Sequence, residues 1–299
     1  MLTQAQLDAL KTTLVARFTA GLALSPDDWK KVAGLIRSNG KSNTYAWLTQ
    51  FPAFREWVGS RLHKKLAEKA YTVVNKKFET TIDVERTDVE DDSFGHYGDV
   101  AEGHGQAAKD LMNDIIFQAL AAGFTATCYD DQFFFDADHP LYANEDGTGT
   151  VTQQSNMQAG AGAPWIMLCT KRAPKPIYLQ ERVKPTLESV TSPQNQSVFD
   201  LDVYSFGGRW RGNAAYGFWQ CAFGSKAALT KANFDLAYNA MMDFKGDGGR
   251  KLGLMADTLV VGSTNRVAAE DILLKQNLAN GESNTNYKRL ELVVTPWLA

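Results

Sequence analysis

Between residues 108 and 120, Ala108, Leu111, Met112, Ile115, Ile116, Ala119 and Leu120 recur at three- and four-residue spacing. That spacing makes one unbroken apolar stripe along a helix. Gly123 follows where a C-terminal cap belongs. The pattern is the strongest helical signal in the chain, and it predicts a helix over 100–122 whose stripe must be covered by another layer. Strands are available on both sides. In "AYTVVNKKFETTIDV", Phe78, Thr80, Ile82 and Val84 alternate with Lys77, Glu79, Thr81 and Asp83, as in a strand with one wet face. The stretch 165–224 carries "PWIMLC", "SVFDLDVYSF" and "AAYGFWQCAF", short apolar runs broken by Pro and Gly that read as strands. The segment 124–162 between them reads as loop. The end of the chain alternates: "TKANFDLAYNAMMDF" helix, "DTLVVG" buried strand, "NRVAAEDILLKQ" helix, "RLELVVTPWL" strand. The class is α+β, with Leu111, Ile115 and Ile116 packed on a sheet.

A second stripe, Leu7, Leu10, Leu14 and Phe18, predicts an amino-terminal helix. Such a helix either docks on its own domain or clamps a neighbouring subunit. Ser25 as N-cap and Pro26 at the first helical position predict a short second helix. "SNTYAWL" and "AYTVV" read as two strands, and the connector "EWVGSRLHKKLAEKA" between them is basic and poorly patterned. A long charged connector inside a compact chain suggests an extended hairpin with a use.

A length of 299 residues supports a large core, and a formal net charge of −3 argues against whole-surface binding of nucleic acid. No apolar run reaches the length of a membrane span. The first residues read as an amphipathic helix rather than a signal peptide, so synthesis in the cytoplasm is expected. Cys128, Cys169 and Cys221 form no CxxC pair, which suggests neither a zinc ribbon nor a disulfide framework.

One stretch holds candidate chemistry. "DDQFFFDADHPLY" brings Asp130, Asp131, Asp136, Asp138 and His139 within ten positions. Carboxylates with an imidazole are what a divalent metal or an acid/base pair requires, and a metal-dependent hydrolase would use Asp136, Asp138 and His139. The competing reading is a turn, since Asp side chains bond their own backbone and His139 precedes Pro140 and is extended. The Gly-rich "DGTGT" and "GDGGRKLG" fit neither phosphate-binding fingerprint and read as turns.

The words of the chain carry a resemblance. "KSNTYAWL", "AYTVVNKKFETTIDVERTDVEDD", "CYDDQFFFDADHPLY", "YGFWQCAFGSKAALT" and "FKGDGGRKLG" resemble the major head subunit of Mu-like phages and prophages, in the same order and over about residues 42–299. That family has the Hong Kong 97 phage-type capsid fold. The resemblance implies an N-terminal arm over 1–41, an E-loop hairpin over 42–76, a P-domain over 77–225 whose spine is the helix 100–122, and an A-domain over 226–299. It implies a virion structural protein with no catalytic residue, cofactor or metal. Copies would form hexamers and pentamers of an icosahedral head around double-stranded DNA. A scaffold, a protease and a portal would take part in assembly, and no membrane would. A shell compartment of the encapsulin type is the alternative within the fold. In this fold the E-loop lies over a neighbour's P-domain, so the basic Arg61, Lys64, Lys65 and Lys69 are expected to meet the acidic Asp88, Glu90, Asp91 and Asp92 across a subunit boundary.

Overall fold

The computed structural model describes residues 4–45, 71–91, 95–192, 194–278 and 280–298. In chain order, helix α1 (Gln4–Leu24) is followed by the short α2 (Trp29–Val32) and by strands β1 (Ala33–Arg37) and β2 (Ser42–Tyr45). Strands β3 (Tyr71–Val74) and β4 (Lys76–Glu85) lead to α3 (Arg86–Glu90) and to the long α4 (Gly95–Ala122). Short strands β5 (His139–Tyr142), β6 (Val151–Gln154), β7 (Met157–Gln158) and β8 (Trp165–Leu168) precede the long β9 (Ile177–Val190). Helix α5 (Gln196–Leu201) links β9 to β10 (Val203–Tyr216). The last elements are β11 (Ala222–Ser225), α6 (Lys231–Met242), β12 (Thr258–Val261), α7 (Arg266–Leu273) and β13 (Glu291–Val294).

Two sheets organise these elements. The first has the order β1-β9-β10-β4 and is elongated, because β9 and β10 each run 14 residues. Its register pairs Trp210 with Phe78, Phe206 with Ile82 and Tyr204 with Val84, so one face is apolar. The opposite face carries Lys77, Glu79 and Asp83, as the period-2 pattern requires. Helices α1 and α4 cover the apolar face. The second sheet has the order β13-β12-β8-β11-β7. Strands β8 and β12 are buried at every position and pack against α6 and α7. The Thr230 hydroxyl caps α6 by accepting the Asn233 N–H.

Several sequence expectations need correction. Helix α4 starts at Gly95, five residues before the predicted boundary. Helix α2 starts at Trp29 rather than Pro26, because the buried Asn113 side chain takes the Pro26 carbonyl and the Trp29 N–H. Residues 196–201, read as strand, form α5, and Asp202 at φ 54° closes that helix in the left-handed region. The segment 124–162, read as loop, contains β5, β6 and β7. Strands between 165 and 225 divide between the two sheets, β9 and β10 going to the first and β8 and β11 to the second. Of the stripe on α4, Ile116 is fully buried, whereas Leu111 and Ile115 are only half-buried.

Candidate functional site

The aspartate-rich stretch forms a tight reversal directly after α4. Thr127 bridges Phe133 in antiparallel fashion, the Cys128 N–H donates to the Gln132 carbonyl at 2.8 Å, and Asp131 sits at φ 69°. Phe134 and Phe135 are buried and hold the reversal in the core. The Phe134 ring stacks on Tyr216 at 4.5 Å and the Phe135 ring lies 4.8 Å from Phe124. Phe133 stays exposed. Two of the three phenylalanines are therefore anchors.

His139 points into this core and has no exposed surface. Its Nδ1 lies 2.7 Å from Asp130 Oδ2 and its Nε2 lies 3.2 Å from Asn156 Oδ1. Asn156 is held from the other side, its Nδ2 donating to the carbonyls of Phe134, Trp219 and Ala222. The second oxygen of Asp130 accepts the Cys128 thiol at 3.0 Å and the Gln132 N–H at 3.2 Å. Burial works to raise the proton affinity of Asp130, but His139 and the Cys128 and Gln132 donors outweigh it and hold the carboxyl below its usual range. Burial and the neighbouring Asp130 push the Cys128 thiol well up.

Cys128, Asp130 and His139 are the one group among the described residues that could ligate a metal ion, with ligand atoms within 4.8 Å of one another. Their close contacts are hydrogen-bond contacts, the Cys128 thiol and the His139 imidazole each meeting a different oxygen of Asp130. The arrangement reads as a closed polar network in which His139, Asp130, Cys128 and Asn156 are each within hydrogen-bond reach of another member. The hydrolase set of the sequence is not assembled. Asp136 folds back on its own turn, accepting the N–H groups of Phe133 and Ala137. Asp138 lies at the surface, its carboxyl raised by the hydrogen bond and charge of Asp136. Alternation along the extended chain turns His139 to the side opposite Asp138. Asp130 stands in the same motif, nine residues before His139, but nothing in the local pattern marks Asn156 or Trp219 as its neighbours.

The charged clusters are partly described. Asp88 accepts the Tyr97 hydroxyl at 2.7 Å, and Arg86 bridges Glu90 at 3.4 Å and Asp202 at 3.6 Å. With the exposed Asp83, Glu85 and Asp91 they make the α3 end of the first sheet acidic. Arg61, Lys64, Lys65, Lys69 and Asp92 lie outside the described residues. The strands β2 and β3 that flank the basic segment pair antiparallel, Ser42 opposite Val74 and Tyr45 opposite Tyr71. A groove of about 420 Å³ runs between α4 and the edge strand β4, floored by Phe78, Leu111, Ile115 and Ala119 and rimmed by Lys76 and Asp114. Among the described residues, no helix is long and apolar enough to cross a membrane.

Comparison with known proteins places this geometry. The family model of the Mu-like prophage major head subunit gpT matches residues 7–298. The major capsid protein of Escherichia phage Mu is 39% identical over 304 residues, covering 100% of each chain. The Mu-like prophage FluMu major head subunit of Haemophilus influenzae is 39% identical over 282 residues, covering 92% of this chain and 91% of that one. Among solved structures, a chain of the procapsid of bacteriophage JBD30 superimposes with a TM-score of 0.88 and 44% identity, covering 99% of this chain and 100% of the other. A chain of the JBD30 capsid gives 0.76 and 35%, covering 100% of both.

Proposed function

The chain belongs to the Mu-like prophage major head subunit family, and from that premise we propose how its parts serve the repeating subunit of an icosahedral phage head. It is a major capsid protein, a structural rather than enzymatic component of the virion, and it assembles with copies of itself. The observation that carries this is 39% identity to the phage Mu major capsid protein along the full length of both chains. Negative-stain electron microscopy of the purified protein tests it. Closed shells or capsomer rings are expected, and a folded protein that stays monomeric at all concentrations would refute it.

Within that head, residues 1–41 serve as the N-terminal arm, 42–76 as the E-loop, 77–225 as the P-domain and 226–299 as the A-domain. The antiparallel start of the hairpin at β2 and β3 and the elongated first sheet under α4 support the E-loop and P-domain parts of this division, whereas the second sheet draws its strands from both sides of residue 225. Subunits group into hexamers and pentamers, and the closed shell holds double-stranded DNA without sequence-specific contacts, in keeping with a net charge of −3. Scaffold, protease and portal take part in assembly. The JBD30 capsid has been solved decorated with minor capsid protein trimers, and a similar decoration is proposed for this head.

The subunit boundary is proposed to join opposite charges. The basic segment with Arg61, Lys64, Lys65 and Lys69 of one copy is proposed to lie over the acidic α3 end of the next, meeting Asp88, Glu90, Asp91 and, next in sequence, Asp92. Each exposed pair contributes only about 0.2–1 kcal/mol. A shell repeats the contact at every subunit, so a small term per contact decides whether assembly proceeds.

A further inference from the structure

The crossing of α1 over the amino-terminal half of α4 is built from glycine on both sides. A Cβ on Gly21 would lie 1.9 Å from the carbonyl oxygen of Glu102, and one on Gly105 would lie 2.0 Å from that of Phe18. Each glycine lets its own helix press directly on the backbone of the other. Gly98 faces the aliphatic stem of Arg17, whose guanidinium reaches Glu102 at 3.0 Å. This half of α4 also carries Gly95 and Gly103, where an added Cβ would meet nothing within 4 Å. Glycine is the weakest helix former after proline, and the apolar stripe of α4 begins only at residue 108. Residues 95–106 therefore lack the local means to stay helical. On one side they are covered by α1, whose Leu7, Leu10 and Leu14 join Ala101, Ile82, Val84 and Phe206 in a cluster of their own, and on the other they are held by the Tyr97 hydroxyl on Asp88 and by His104 on Thr80.

The carboxyl end of α1 is tied down separately. The buried Asn113 accepts the Trp29 N–H and donates to the Pro26 carbonyl, each at 3.0 Å, and Lys109 pairs with Asp27. This anchor sits beyond the glycine-rich half, so it persists when α1 lifts away.

We infer that α1 is a strap: docked, it holds residues 95–106 helical, and released about the Pro26–Trp29 anchor, it lets that half of α4 unwind while the half from 108 stays on the sheet. The capsid subunit thus has two states that differ in one helix pair, and the strap-docked state is the one seen here. The idea goes beyond the role of the chain in a head and does not depend on how subunits meet.

Hydrogen exchange of the purified full-length protein, read by mass spectrometry, tests it with Gly103→Ala and Gly105→Ala. Alanine is the better helix former at both positions, so propensity alone slows exchange in both variants. The strap requires opposite signs. Gly103→Ala should slow exchange over 95–106, whereas Gly105→Ala should speed it about ten-fold or more over 95–106 and 4–24 together, leaving 108–122 unchanged. Slower exchange in both variants, or faster exchange confined to 4–24, overturns the inference. Should Gly105→Ala fail to fold, Leu7→Ala, which trims the far end of the strap, is read the same way. Electron microscopy of the same samples reports shell formation independently, so failure of the strap and failure of the capsid assignment are told apart.

Discussion

The imidazole of His139 lies flat against the indole of Trp219, with ring centroids 4.0 Å apart and planes 10° apart. Trp219 belongs to the one-turn 3-10 helix between β10 and β11, the point where the chain leaves the first sheet for the second. Trp219 also meets Phe244 edge-on at 5.9 Å. The stack, with the Asp130 and Asn156 hydrogen bonds, pins the reversal after α4 to the junction of the two sheets.

Removing the imidazole should therefore cost stability. His139→Ala leaves one oxygen of the largely covered Asp130 carboxyl without its hydrogen-bond partner, and an unsatisfied group of this kind costs about 1–3 kcal/mol. Asp138→Ala removes a surface group whose main partner is Asp136 rather than the buried network, and it should leave the melting temperature unchanged. Calorimetry of the two variants beside the wild type checks the contrast. Elemental analysis should find no stoichiometric transition metal, and one zinc per subunit that is lost in His139→Ala would overturn the network reading.

Acid should weaken the fold through Asp257 as well as Asp130. Burial raises the proton affinity of the Asp257 carboxyl. The hydroxyl and N–H of Thr170, the Lys171 N–H and the Thr258 hydroxyl outweigh that effect and hold it below its ordinary value of 3.8. A carboxyl depressed in the folded state contributes stability that is present above the unfolded value and lost as pH falls through the folded one. Thermal stability should stay flat down to about pH 5 and decline below it. Asp257→Asn should melt lower than wild type at neutral pH and converge with it in acid. A constant gap across the range would show that the carboxylate charge is irrelevant.

Neighbouring isoleucines on α4 should respond differently to the same change. Ile116 is fully buried, and Ile116→Asp places an unpaired carboxylate in the core and should yield no soluble protein. Ile115 lines the groove beside β4, where a carboxylate can reach water. Ile115→Asp should fold with a loss of about 1 kcal/mol, a few degrees in Tm. Equal damage from both would mean that the groove closes around Ile115.

Opposite charge reversals should compensate. Lys64→Glu with Lys65→Glu should impair particle formation while sparing the folded monomer. Adding Asp91→Lys and Asp92→Lys should restore part of it, measured as the sedimenting fraction of the protein. If the combined variant assembles no better than the first, the two clusters are not partners.

How much of this could be read beforehand differs from element to element. The stripe from Ala108 to Leu120 announces α4, and the alternation from Phe78 to Val84 announces β4 with the correct face inward. These signals are local, because a helix or strand repeats its burial every few residues and the repeat is written into consecutive positions. The amino-terminal half of α4 carries no such signal, since Gly95, Gly98, Gly103 and Gly105 argue against helix on propensity alone. It is helical because α1 lies on it, and the glycines that meet there, Gly21 and Gly105, are far apart in the chain. The six residues of α5 carry apolar residues that equally suit a strand, and their helix follows from the need to turn β9 into β10.

The same division holds at the site. The motif ending in His139 announces a reversal, and the anchoring of its phenylalanines follows from their apolar surface. The choice between Asp130 and Asp138 as partner of His139 depends on which way the imidazole turns, and Trp219 and Asn156, distant in the chain, settle that by occupying the space around it. By itself the sequence determined which residues share a face in α4 and β4, the order of the strongly patterned elements and the family. Which face covers which, which half of α4 needs a strap and which carboxylate meets the imidazole were decided only by tertiary packing, because burial is a property of contacts between segments that no single segment contains.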